Sequence, residues 1–597
     1  MSIPRREHLS KDMKTAAIMS TSLIDDHDIQ HYGSVGTIHP STVHERDQEM
    51  LIQKRRASSM FSSQAKHLRL ATTQIKDGQY QPVDTDVITE IRMMLKTSIP
   101  LIITFLLQFS LTVSAVFFVG NIGSNELAAV SLSNLLANIS AFGPIEGIAS
   151  SLSTLCPQAY GRKDYRLVGL HSVRCLLMLL ILYVPLFFFW KYGSYPLLSA
   201  VITEVEASKL AAEYLGVLVW SVPGFVTFEV LKQYLQAQGI FHASTVVLTI
   251  CAPLNFLLSY LLVWNSSFGI GFLGAPWAIV ITDTLMALLL LFYTIFINGY
   301  QCWCGFSMEF FQNWSKALKL AGPGVIMIEA EWLAFEIISF ASSRFGTEAL
   351  AAQSVITTIC VTLYQIPFAI SVAGSTRIAW FIGSDSKQAA ITATRAVIYV
   401  SVAFGVLNAV LLGSWPHYVC SFFSNDEKVV DLAAKVLIIG AIYQIPDCLA
   451  CVLGGILRGQ GRQYIGGYLN LFSYYVVALP VAYLFGFTLN MQLFGLWMGM
   501  IVALVFVSGS ELYYVIISDW DKIISESIEE DLETLENAVS SSARSVFSED
   551  GAVNINNTDN LSLRPSRSIG SIIDHSLLSP TISSAIIIGD PPAQLHI

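Results

Sequence analysis

Between residues 97 and 517 long apolar runs alternate with short polar breaks. The runs cover 97–120, 127–154, 168–190, 208–230, 242–264 and 270–297 in the first half, and 318–343, 348–374, 390–413, 431–455, 466–487 and 493–517 in the second. Crossing a bilayer takes about 20 apolar residues in a helix. Inside lipid every main-chain polar group needs an internal partner, so each run is expected to be helical. Outside this block the pattern changes. Residues 1–92 are rich in Ser, His, Gln, Lys and Arg without a sustained apolar period, and are expected to be a disordered cytosolic tail. Residues 520–597 open on an acidic stretch, continue Ser-rich, and carry the same expectation.

A shift of 223 residues lays the first half on the second: Lys96 on Lys319, Pro100 on Pro323, Pro144 on Pro367 and Pro223 on Pro446. Leu127, Ala128, Ala129 and Ser131 fall on Leu350, Ala351, Ala352 and Ser354 in the same register. Such a period marks a duplicated unit. The expected fold is an all-α polytopic membrane protein, with twelve transmembrane helices in two pseudo-symmetric six-helix bundles. Its lobes are 93–297 and 318–519, joined by a cytosolic linker over 298–317. Duplicated membrane bundles commonly place a binding site between halves that rock against each other. The mirrored prolines predict a shared bend in both lobes.

Charge sets the orientation. Arg162, Lys163, Arg166, Lys232, Lys316, Lys319, Lys387, Arg395, Arg458 and Arg462 fall on the side that holds both termini, against Lys191, Lys209, Arg344, Lys428 and Lys435 on the other. The positive-inside bias then puts both tails in the cytosol. The chain of 597 residues is 53% hydrophobic and 13% charged, about half the charged share of a soluble protein. Its net charge of −10 says little about partners, because much of it sits in the tails, and no basic surface for nucleic acid is evident. The nine cysteines are scattered; Cys448 and Cys451 form a CxxC inside an apolar helix without a second pair, so no metal or other cofactor is expected. GxxxxGK[ST], HExxH and GxSxG are absent, which leaves neither direct ATP use nor enzymatic catalysis with a visible carrier.

Charged groups in mid-membrane are functional candidates because insertion costs at least ~2.5–3.5 kcal/mol each. The seventh run carries Glu329, Glu331 and Glu336, and the tenth carries Asp447 just after Pro446. Glu146, Glu229 and Asp283 of the first half each stand alone in the sequence. At about 100° per residue Glu329 and Glu336 share a helix face that Glu331 does not. Either one carboxylate lies near the membrane surface, or the helix is distorted, or there are two sites. A carboxyl buried without a cation favours its protonated form, so a proton and a cationic substrate can compete for it. Trp332 and Tyr364 are candidates for lining an organic-cation cavity through their ring faces. In the amino tail, Arg55-Arg56-Ala57-Ser58-Ser59 places a basic pair before a serine, a candidate phosphorylation site.

Three segments resemble the multidrug and toxic compound extrusion (MATE) family: Leu155-Cys156-Pro157-Gln158-Ala159-Tyr160-Gly161, Glu331-Trp332 with Glu336, and Gly454-Gly455-Ile456-Leu457-Arg458-Gly459-Gln460-Gly461. The first of these and the long polar amino tail look most like fungal members. The resemblance implies export of organic cations, xenobiotics or metabolites by proton-coupled antiport, from a monomer in the vacuolar or plasma membrane. It assigns coupling and cation binding to Glu331, Glu336 and Asp447. Two departures stand out: no acid lies between Pro100 and Gly120, and Thr358 stands where animal members carry a glutamate. A sodium-coupled exporter and a lipid-linked-saccharide flippase of related fold are the alternatives.

Overall fold

The computed structural model describes residues 83–201, 204–265, 269–305, 308–424 and 426–529. The Arg55–Ser59 segment, the amino tail up to residue 82 and the carboxy tail from residue 530 lie outside the described residues. Eleven helices among these residues are long and apolar enough to cross a membrane. They are α1 (Val87–Gly120), α2 (Asn125–Gly161), α3 (Tyr165–Ala200), α4 (Val205–Ala237), α5 (His242–Trp264), α6 (Gly271–Phe296), α8 (Thr347–Gly383), α9 (Lys387–Ser414), α10 (Glu427–Gly459), α11 (Gln463–Thr488) and α12 (Gln492–Ile516). The seventh in order, α7 (Ser315–Ser342), is long enough to span at 28 residues. It is set apart only by its ionisable side chains, Lys316, Lys319, Glu329, Glu331 and Glu336. Twelve helices thus form the membrane body, as the apolar runs predict.

The packing repeats from lobe to lobe. In the first, α1 lies on α5, α4 on α6, and the start of α2 on the start of α4; in the second, α7 lies on α11, α10 on α12, and α8 on α10. Each lobe buries its own apolar core, one around Val130, Trp190, Tyr214 and Phe228, the other around Ile356, Leu437, Tyr443 and Trp497.

The two lobes meet at one end, the end that holds the start of α1. Gln158 of α2 donates to the Gly459 carbonyl of α10 (3.2 Å), Gln463 of α11 to the Ser150 carbonyl (3.3 Å), and Trp380 of α8 to the Ala237 carbonyl of α4 (2.8 Å). Small residues let the backbones close there, as in other membrane helix contacts. A methyl group added at Gly147 would stand 2.4 Å from Val325 Cα, and one at Gly383 would stand 2.1 Å from the Gln158 carbonyl oxygen. All inter-lobe hydrogen bonds among the described residues lie at this end.

Both tail boundaries differ from expectation. Helix α1 begins at Val87, and its Glu90, fully buried, receives two 3.1 Å hydrogen bonds from Arg377 of α8. Residues 520–529 form a further helix. Its Trp520, Ile523 and Ile524 are buried at helical spacing, and Ser527 bonds Gln158 (2.9 Å) and Arg162 (3.1 Å) of the first lobe. Counting acids hid that apolar face, because the carboxylates lie on its other side. The linker is also ordered where described: Glu309 pairs with Arg166 (3.0 Å) and its carbonyl accepts from Arg174.

The shared bend is not seen as a shared break. Helix α2 carries a π-helical turn over Asn138–Phe142 just before Pro144, and α4 a 3-10 turn over Val219–Ser221 just before Pro223. Helices α8 and α10 run without interruption through Pro367 and Pro446. A single proline removes one hydrogen bond, and neighbouring helices can absorb that without ending the helix.

Candidate functional site

The site is built from α7, α8, α10 and α11 of the second lobe. Helix α7 runs unbroken past its acids, so its side chains leave in the directions that regular spacing dictates. Glu331 points into the second lobe, close enough to Asp447 of α10 for the two to interact electrostatically. Asp447 is 3% exposed, with the Tyr443 side chain beside its carboxyl one helical turn earlier. Tyr364 of α8 faces both acids and the Cys451 thiol, and stacks on Phe368 with ring centres 6.0 Å apart. Tyr474 of α11, 2% exposed, closes the group. Tyr443 packs edge-on against Trp497 (5.4 Å), whose indole donates to Gln353 (2.8 Å), so the tyrosine is held by packing on its far side.

Five residues stand out from the sequence, and the structure brings together Glu331, Asp447 and Tyr364. Glu336 does not join them: it is not among the electrostatic neighbours of Glu331 or Asp447. Glu336 shares the face of Glu329, and Trp332 leaves the helix about 100° from Glu331. Glu329 turns to the lobe interface, over Gly143 of α2, where an added methyl group would meet its Oε1 at 2.0 Å. Of the three arrangements open for α7, distortion is not seen, and Glu329 and Glu331 face different neighbours.

Sequence reasoning missed Tyr443, Tyr474 and Glu511. Tyr443 was legible as the residue four before Asp447 on one helix face. Glu511 was legible as the one acid in the twelfth apolar run. The first-lobe acids also do not stand alone. Glu146 faces Glu229, Lys232 and Glu329, and Asp283 faces Glu229. Lys232, counted among the loop charges, is 5% exposed and bonds Glu229 at 2.6 Å, with Gln108 donating to the same carboxylate at 2.9 Å. Four helices of the first lobe, α1, α2, α4 and α6, bring these groups together, and no spacing within one run reveals that. No cluster of His, Cys, Asp and Glu suited to a metal occurs among the described residues.

What the arrangement offers is a pair of carboxyls with aromatic walls, in a body whose lobes touch at one end. The MatE family model matches this chain twice, over residues 100–261 and 323–484, at the 223-residue offset of the internal repeat. An uncharacterised transporter of Saccharomyces cerevisiae is 44% identical over 73% of this chain and 63% of its own length. Human multidrug and toxin extrusion protein 1 is 30% identical over 73% of this chain and 76% of its own. The crystal structure of the eukaryotic MATE transporter AtDTX14 superposes with a TM-score of 0.70 at 26% identity, covering 74% of this chain and 99% of that one. With one family module in each lobe, this multi-pass membrane protein belongs to the MATE family of transporters and is of the fungal type.

Proposed function

We propose that this chain exports organic cations, xenobiotics or cationic metabolites from the cytosol by proton-coupled antiport, with alternating access between the lobes over 93–297 and 318–519. The observation that carries the reading is the Glu331–Asp447 pair, two carboxyls from different helices beside Tyr364, Tyr443 and Tyr474. A proton and a cation compete for such a pair, and aromatic faces attract the cation. The name of the human relative, multidrug and toxin extrusion, supports the substrate class. In this cycle the cation binds from the cytosol, a proton from the far side displaces it, and the protonated carrier returns. Both tails face the cytosol, in a vacuolar or plasma membrane, and the unit is the monomer. Glu331 and Asp447 carry coupling, with Glu336 on another face of α7, and Tyr364 and Trp332 line the cavity.

A flippase would need a basic cleft for pyrophosphate. Arg174 is committed to the Glu309 carbonyl, Arg377 to Glu90, Arg395 is exposed on α9, and Arg458 faces the carboxyls of Glu331 and Glu511, so acids rather than bases dominate the cleft. Transport of tetraethylammonium and ethidium into sealed proteoliposomes under an imposed pH gradient tests the proposal. Uphill accumulation that collapses with the pH gradient is expected. Accumulation that follows a sodium gradient alone would move the coupling ion to sodium, and transport unchanged in Glu331→Gln would remove the pair from coupling.

A further inference from the structure

Glu511 of α12 is the most enclosed carboxyl of the second lobe. It is 1% exposed, and neither carboxyl oxygen has a hydrogen-bond partner among the described residues. A buried ionised carboxylate without hydrogen bonds is expensive, and structural acids in membrane proteins are normally paired. Glu511 therefore lacks the partners that a packing role would supply.

Its surroundings are specific. A methyl group added at Gly466 of α11 would lie 3.3 Å from Glu511 Oε1 and 3.1 Å from Met327 Sδ of α7. One added at Gly454 of α10 would lie 3.9 Å from the same oxygen. Glycines at these two places leave the carboxyl its room. One turn beyond Gly466, on the same face, Asn470 donates to the Met327 carbonyl (3.1 Å) and leaves its own Oδ1 without a partner. Three acceptor oxygens without donors thus lie about Met327, one turn before Glu331.

Helix α10 connects this place to the site. Asp447, Cys451, Gly454 and Arg458 recur at spacings of four, three and four residues, so they form one stripe along the helix. The stripe is roughly 16 Å long at 1.5 Å per residue. Asp447 faces Glu331, Cys451 faces Tyr364, Gly454 faces Glu511, and Arg458 faces both Glu331 and Glu511. Arg458 also donates to Ser371 of α8 (2.9 Å), at the end where the lobes meet. The titratable groups facing Glu511 from the packed helices are Glu331 of α7, Arg458 of α10 and Tyr474 of α11.

We infer that Glu511 is a further proton-carrying residue of this transporter, passing protons between the Glu331–Asp447 pair and the end where the lobes meet. The proton moves from carboxyl to carboxyl, and Arg458, which interacts electrostatically with both, favours whichever is momentarily ionised. This rests on the proton-coupled reading above. The group is distinct from the pair in position and in the helix that supplies it.

Infrared difference spectroscopy of the full-length protein in liposomes, stepped between acid and alkaline pH, tests it without any substrate. The protonated-carboxyl band of wild type is expected to lose one component in Glu511→Gln and to shift it in Glu511→Asp. The same variants are then driven by a pH gradient with tetraethylammonium outside. Glu511→Gln is expected to lose accumulation above equilibrium and to flatten the pH profile, while Glu511→Asp retains pH dependence. A spectrum and pH profile identical to wild type in Glu511→Gln overturn the inference, and so does failure of both variants to fold, which makes the carboxyl a packing requirement. If Glu331→Gln is uncoupled while Glu511→Gln is not, this inference alone fails. If Glu331→Gln is itself coupled, the reading of the pair fails instead.

Discussion

Thr154, near the end of α2, donates its hydroxyl to the main-chain carbonyl of Arg458 in α10. The residue whose guanidinium faces Glu331 and Glu511 is therefore also a residue that joins the lobes. Charge inside the second lobe and closure against the first meet at one position. Thr154→Val keeps the shape of the side chain and removes the donor. A hydrogen bond of this kind contributes about 1 kcal/mol net, so the closed-to-open ratio at this end is expected to fall about fivefold. Distances between spin labels on the ends of α2 and α10 measure that population, and an unchanged distribution would mean the bond is incidental.

Closure also depends on backbone proximity. Gly383 of α8 lies so near Gln158 that an added methyl group would fall 2.1 Å from its carbonyl oxygen, which belongs to a helix and cannot rotate away. Gly383→Ala is expected to hold the two lobes apart at this end and to slow transport more than Thr154→Val does. The same label pair would show a longer mean distance, and wild-type transport in Gly383→Ala would show that the contact is not used in the cycle.

Much of this architecture was legible in the chain, and the reason is physical. Lipid forbids unpaired backbone, so apolar runs map onto helices, and a duplication keeps its register, so the lobes follow from one offset. The acids of α7 were also resolved in part, because a regular helix assigns a direction to each position. What stayed hidden needed contacts across helices. The Glu229–Lys232–Gln108 group joins α4 to α1, and Glu146 approaches it from α2. The 520–529 helix was masked by its carboxylates, and Glu511 by being one acid in an otherwise apolar run.

The pair itself predicts a particular kind of non-additivity. If Glu331 and Asp447 act as one proton-binding unit, removing either carboxyl disables the unit, and removing both does no further harm. Glu331→Gln, Asp447→Asn and the double variant are expected to show the same loss of pH-driven accumulation at equal protein level. Multiplying losses in the double variant would separate the two residues into independent sites.

The last prediction concerns where the working chain begins. The Val83 amide donates to the Ser386 hydroxyl at 3.1 Å, and Glu90 holds Arg377, so among the described residues contacts with the second lobe start at the head of α1. Deleting residues 1–82 leaves these contacts in place and is expected to leave thermal stability as in the full chain. Deleting residues 1–92 removes Glu90 and leaves the Arg377 side chain, which is 23% exposed, without its counter-ion. Breaking a buried pair by removing one partner costs about 3 kcal/mol or more, less as the surviving charge reaches water, so the longer deletion and Glu90→Gln are expected to lower the unfolding temperature together. Equal melting of the two deletions would show that the Glu90–Arg377 pair adds nothing to stability. A change of transport rate or location in the 1–82 deletion, at unchanged stability, would assign a regulatory role to the amino tail and its Arg55–Ser59 segment.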